Sequence, residues 1–153
     1  MNNLFKHLDK YVVTQRILIG VMPLATLFAR INLHLGGLVS GIILSAAGLS
    51  ILAIAARQLG PALTPTIKPA HEGQMVTSGL YGIVRHPMYG GAILFSMGWS
   101  ILWGSVLAML LTLLLGLLFV IKLKMEEKLL CETYPGYAGY QARVTKKIIP
   151  YIY

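Results

Sequence analysis

The stretch MYGGAILFSMGWSILWGSVLAMLLTLLLGLLFVI, residues 88–121, contains no Asp, Glu, Lys or Arg. It divides into two apolar runs, Met88 to Trp103 and Ser105 to Ile121, with little more than Gly104 between them. A membrane-crossing helix needs roughly 20 apolar residues, with about 17 as a lower limit. Two runs of nearly that length joined by one glycine predict a tight helical hairpin. Both are short, so either the bilayer thins locally or the helices extend into polar flanks. Trp99 and Trp103 fall toward the tip, where aromatic side chains favour the interface. A hairpin enters and leaves from the same face. Residues just before Met88 therefore become neighbours of those just after Ile121.

The rest of the chain fits this frame. Of its 153 residues 56% are hydrophobic and only 12% charged, far from a soluble composition. The sequence reads as one all-α, polytopic membrane domain over 1–153. It comprises two spans in 1–56, a connection over 57–87, the hairpin over 88–121 and a C-terminal segment over 122–153. The first span, Val12 to Ala29, is weakened by Gln15, Arg16 and Pro23; the second, Leu38 to Ala56, is free of charge. Gly37, Gly41 and Ser45, at four-residue spacing, allow close helix approach, either within the chain or in a dimer. The polar Met1 to Lys10 segment and the lack of a small-residue cleavage site favour a retained first span over a removed signal peptide.

Charge gives the orientation. Lys6, Lys10, Arg16, Arg57, Lys68, Arg85, Lys122, Lys124, Lys128, Arg143, Lys146 and Lys147 fall on or near one side of a four-span arrangement, and Arg30 on the other. The positive-inside rule then makes both termini and the 57–87 connection cytoplasmic. The net charge of +8 is explained by orientation and anionic headgroups, and no nucleic-acid partner is expected. Cys131 is alone, which excludes an intramolecular disulfide. His34 and His71 read as loop residues, and no Cys/His grouping has metal spacing, so no metal is expected.

The hairpin brings two polar clusters together. Before it runs Gly79-Leu80-Tyr81-Gly82-Ile83-Val84-Arg85-His86-Pro87-Met88-Tyr89-Gly90-Gly91; after it comes Lys122 to Cys131, a helix leaving the membrane with Lys122 four residues before Glu126. Pro87 suits the first helical position and holds His86 out of helical geometry. The expected pocket holds Tyr81, Arg85, His86, Tyr89, Glu126 and Glu127. Leu129 and Leu130 share a face with Glu126, and Lys122 precedes it by one turn, which favours Glu126 over Glu127 as the inward glutamate while leaving open which of the two meets a ligand. Tyr134-Pro135-Gly136 breaks the helix. A short amphipathic piece over Tyr137 to Ile148 then leads to Ile149-Pro150-Tyr151 at the membrane surface.

Gly79-Leu80-Tyr81, Arg85-His86-Pro87-Met88-Tyr89-Gly90, Glu126-Glu127 with Leu130, and then Tyr137, Tyr140, Val144 and Ile149-Pro150 together resemble the isoprenylcysteine carboxyl methyltransferase and phospholipid methyltransferase group. The likeness runs from about Leu59 to Pro150. It implies S-adenosylmethionine as methyl donor in a cytoplasmic pocket and a lipophilic acceptor, a prenylated substrate or a membrane lipid, entering between helices.

Elementary chemistry is compatible with this. Methyl transfer from a sulfonium needs positioning and exclusion of water more than covalent help. Glu126 or Glu127 can balance the donor's positive charges, and Arg85 or helix N-terminal amides its carboxylate. Val76, Tyr81 and Tyr89 offer surfaces for adenine, while Gly79 and Pro87 shape the turn. Arg143 is placed to orient a carboxylate acceptor; a thiol, phenol or ammonium must first lose a proton, for which His86 or a glutamate is available. Two other readings are an NADPH-dependent membrane lipid reductase and a small transporter or scaffold. The near absence of polar residues in the second and fourth spans counts against the last. Oligomeric state and the acceptor's identity are left open.

Overall fold

The computed structural model describes residues 2–28, 31–32, 34–60, 63 and 75–150, with side chains from Lys10 onward. Arg30, Lys68 and His71 lie outside the described residues, as does Tyr151. Among the described residues all regular structure is helical: α1 (Asn2–Ala25), α2 (Leu35–Leu59), a 3-10 turn (Gly79–Gly82), α3 (Pro87–Leu102), α4 (Val106–Thr133) and α5 (Tyr137–Arg143).

Two of these helices, α2 and α4, are long and apolar enough to cross a membrane, with mean hydropathies of 2.3 and 2.7 over their most apolar windows. Only 17% of the α2 window and 33% of the α4 window is buried, the reverse of a helix in a soluble core. Leu35, Val39, Ile42, Ile43 and Leu49 on α2, and Leu110, Leu113, Leu114 and Leu117 on α4, are all exposed. Aliphatic faces this wide suit lipid. The first expected span is displaced: α1 begins at Asn2, contains Pro23 and ends at Ala25. It closes in three-residue turns at Thr26, Leu27 and Phe28; Ala29, the expected end of the span, lies outside the described residues.

The hairpin forms as the sequence predicts. Gly104 adopts φ of +59°, a conformation that costs glycine little. Ser105 caps α4 by accepting from the Ala108 amide at 3.1 Å. Its hydroxyl also lies 2.9 Å from the Ala25 carbonyl and 3.1 Å from that of Phe28, which ties the end of α1 to the hairpin tip.

Packing runs α2 on α3, α3 on α4 and α4 on α1. The α2–α3 contact depends on small residues, because backbone meets backbone there. A Cβ at Gly41 would lie 2.7 Å from the Leu102 amide nitrogen, one at Gly48 would strike the backbone of Phe95, and one at Gly98 that of Ser45. The stripe including Gly41 and Ser45 therefore serves an internal contact, extended by Gly48 and met by Gly91 and Gly98 on α3. On the other side of α3, the buried Leu18, Met22 and Ala25 of α1 meet Ala108, Leu115 and Phe119 of α4, with Tyr89, Ala92, Ile93 and Trp99 packed against them.

At 1.5 Å per residue the 28 residues of α4 span about 42 Å, more than the roughly 30 Å hydrocarbon layer. Its last turns, Lys122 to Thr133, carry six charged side chains and extend the helix past its apolar part. The expected amphipathic piece over Tyr137 to Ile148 is shorter than foreseen. Helix α5 stops at Arg143, and the next residues run as a strap whose Lys146 and Lys147 carbonyls accept from the Arg85 and His86 amides at 3.0 and 2.7 Å. Those bonds replace the helical ones.

Candidate functional site

The polar cluster forms where the N-terminus of α3, the charged end of α4 and the strap meet. Pro87 occupies the first turn of α3, where its missing N–H leaves no bond unmade. His86 precedes it at φ −126° and ψ 61°, outside helical geometry, and its side chain makes no capping bond. The imidazole is thus turned toward α4. Its Nε2 lies 3.3 Å from Glu127 Oε1 and its Nδ1 4.0 Å from Glu126 Oε2.

Arg85 is 8% exposed and largely committed. Its Nε donates to Glu127 Oε1 at 2.6 Å, and its Nη1 reaches the carbonyls of Val144 at 2.6 Å and Thr145 at 3.1 Å. One guanidinium thus joins the turn, α4 and the strap. Gly90 permits the same closure, since a Cβ there would lie 2.9 Å from the Ile148 carbonyl. Burial works to raise the pKa of Glu127, but hydrogen bonds from His86 and Arg85, together with their charges, outweigh it and hold the carboxyl at about 2.

Glu126 has a different shell. The Tyr89 hydroxyl donates to its Oε2 at 2.5 Å, and Lys122 Nζ sits 3.3 Å from its Oε1. The Tyr89 ring stacks at 4.3 Å between centroids on Phe119 and at 5.4 Å beside His86. Glu126 points inward as expected, with its side chain 17% exposed, and Glu127 beside it lies deeper, at 11%. Both reach the cluster, but Glu127 continues the buried stripe Ala108, Thr112, Leu115, Phe119, Leu123 at three- and four-residue spacing.

Tyr81 lies in the 3-10 turn, buried, and its carbonyl accepts from the Tyr140 hydroxyl at 2.7 Å. Burial raises the Tyr140 pKa to about 12 against the opposing charge of Arg85, and burial pushes Tyr81 up as well, so both phenols stay protonated. Gly79 has φ of +63°, and the next amide, that of Leu80, donates to Gln58 Oε1 of α2 at 3.0 Å. Val76 is half-buried beside this turn. Arg143, at the end of α5, is exposed and lies outside the ion-pair cluster. The structure therefore brings together Arg85, His86, Tyr89, Glu126 and Glu127, packs Tyr81 against the α5 side, and leaves Arg143 at the rim.

Sequence reasoning sets Lys122 in the second polar cluster, one turn before Glu126, but misses Gln15 as its partner. Lys122 Nζ lies 2.8 Å from Gln15 Oε1 on α1 and 5.1 Å from the Tyr89 ring centroid. The signal was a polar side chain inside an apolar run, which normally has a partner.

Chemically, the cluster offers one carboxylate consumed by arginine and histidine and a second, Glu126, held by a phenol and a lysine. An imidazole lies between them. Such a site can set a carboxylate oxygen beside a cationic ligand, its formal charge already matched by Arg85 and Lys122, and can accept a proton at the imidazole.

Residues 37–136 match the family described as phospholipid methyltransferase, about two thirds of the chain and both halves of the cluster. The chain is also 33% identical, over 91 residues, to the Delta(14)-sterol reductase of Mus musculus. That match covers 58% of this chain, which spans 22% of the length of the reductase.

Proposed function

Because this chain belongs to the phospholipid methyltransferase family, we propose that it is an S-adenosylmethionine-dependent methyltransferase acting on a lipophilic or amphipathic acceptor, an isoprenylcysteine carboxylate or a membrane lipid. One observation carries the reading. The hairpin sets Arg85 and His86 against Glu126 and Glu127, with Arg85 Nε 2.6 Å from Glu127 and His86 Nε2 3.3 Å from it.

The residues present fit such a donor. Glu126, half-buried and held by neutral and cationic donors on opposite oxygens, is an anion suited to a sulfonium or ammonium. When bound, S-adenosylmethionine supplies an electrophilic methyl group, taken by an acceptor lone pair while the C–S pair stays on sulfur. Arg85 acts by fixing the strap over the site. His86 takes the proton of an acceptor that carries one. Arg143 at the rim orients a carboxylate acceptor, and Val76, Gly79 and Tyr81 shape the side against α2. We place all four long helices across the membrane with this polar end and both termini cytoplasmic, in keeping with the lysine and arginine distribution.

The test is calorimetry with S-adenosylhomocysteine on detergent-purified protein. Saturable binding is expected, and its loss in His86→Ala and Glu126→Ala with the thermal transition retained. Absence of binding to the wild type would sink the proposal. The likeness to a sterol reductase favours a second reading, reduction of a membrane lipid by NADPH, and a parallel NADPH titration separates them: binding of NADPH without S-adenosylhomocysteine reverses the assignment.

A further inference from the structure

Lys122 closes the apolar part of α4, a position where lysine ordinarily carries its ammonium out to the interface. Here it turns inward and is 6% exposed. A buried cation is costly unless paired. Its Nζ is held by Gln15 Oε1 at 2.8 Å and Glu126 Oε1 at 3.3 Å, beneath a Tyr89 ring centroid 5.1 Å away. Glu126 is bracketed as a result, with the Tyr89 hydroxyl on one oxygen and Lys122 near the other.

We propose that Lys122 is a positioning residue that partly offsets the charge of Glu126, with Gln15 retaining the ammonium, so that the site accepts a sulfonium ligand without trapping it. This rests on the methyl-donor reading above. In formal charge Arg85 and Lys122 already balance Glu126 and Glu127. The donor carries one positive charge more than its demethylated product, whose sulfur is a neutral thioether. The ammonium of Lys122 therefore opposes the donor's sulfur and is indifferent to the product's. Gln15 also makes α1 part of the donor site, although α1 lies outside the 37–136 family match.

The experiment measures dissociation constants for S-adenosylmethionine and S-adenosylhomocysteine on the full chain in detergent, for wild type, Lys122→Met and Lys122→Arg. One unit-charge repulsion in a partly desolvated site is on the order of tenfold. The product-to-donor ratio of constants should rise roughly tenfold in Lys122→Met and stay near the wild-type value in Lys122→Arg. A merely structural role would weaken both ligands together and leave the ratio alone. An unchanged ratio in folded Lys122→Met, or an equal rise in Lys122→Arg, overturns the inference. Should Lys122→Met show no melting transition, Gln15→Leu gives the second arm. Lys122 then turns wholly to Glu126 and the ratio falls about threefold; an unchanged ratio there also overturns it. A wild type that binds neither ligand removes the methyl-donor reading itself, and this inference with it.

Discussion

Replacing Glu127 by glutamine removes the charge that Arg85 and His86 share while keeping the side chain's shape. Glu127 is 9% exposed, and its Oε1 is met by Arg85 at 2.6 Å and His86 at 3.3 Å. Its carboxyl pKa falls from 4.5 to about 2 in the fold. At about 1.36 kcal/mol per pH unit, that difference is worth about 3 kcal/mol. A folded-state pKa below the unfolded one gives stability that is fully present above the unfolded value and is lost as pH falls through the folded one. The Glu127 contribution is therefore complete above pH 4.5 and fades toward pH 2. For a chain of this length 3 kcal/mol corresponds to roughly 6–12 °C in melting temperature. The assay is thermal unfolding in detergent, followed by tryptophan emission, for wild type and Glu127→Gln from pH 8 to pH 3. Taking the difference cancels the titration of groups that do not touch Glu127; repeating the pair on a His86→Gln background removes the titration of its imidazole neighbour. The gap should be constant down to about pH 5 and narrow below it. A gap under about 2 °C at neutral pH, or one unchanged at pH 3, would refute the assignment of Glu127 as the ionised partner of Arg85.

Other outcomes follow from the packing. Gly48→Ala drives a Cβ into the Phe95 backbone and should cost about 1–3 kcal/mol or more, seen as lost monodisperse yield and a lowered melting temperature, whereas Gly20→Ala, with open space around it inside α1, should be neutral to stabilising by up to about 1 kcal/mol. Ser105→Ala removes the α4 cap and the link to the Ala25 and Phe28 carbonyls; about 1–2 kcal/mol should be lost, as a fall of a few degrees in the same melt. Tyr140→Phe leaves the Tyr81 carbonyl without its buried donor and should lower stability by about 1 kcal/mol without abolishing S-adenosylhomocysteine binding in calorimetry.

What was legible in the sequence was local or followed from the hairpin. Gly104 between two apolar runs, Pro87 at a helix start, and Tyr134-Pro135-Gly136 at a helix end each have one dominant backbone solution, and each falls where expected. The hairpin then forces Arg85 and His86 beside the end of α4 whatever the remaining helices do. The strap was not legible, because its hydrogen bonds go to residues about sixty positions away, which no local pattern in residues 144–148 declares. The end of α1 is not legible either: apolar residues continue past Ala25, but the helix closes there in a short turn whose Ala25 and Phe28 carbonyls meet Ser105.

The choice between Glu126 and Glu127 shows why site detail lagged behind site location. Adjacent residues on a helix point about 100° apart, so one glutamate had to lead. From 106 to 121, α4 is apolar on every side, and a helix without an amphipathic pattern does not declare its inner face. Leu129 and Leu130 on its face, and Lys122 one turn before it, point to Glu126 and say nothing of Glu127. The decisive stripe, Ala108, Thr112, Leu115, Phe119 and Leu123 leading to Glu127, is fixed by what packs on it: Leu18, Met22 and Ala25 of α1 and Tyr89 of α3. Those same partners set the angle at which Lys122 turns away from lipid toward Gln15. The ion-pair chemistry at the end of α4 thus depends on α1, which explains how a helix without a motif takes part in the site.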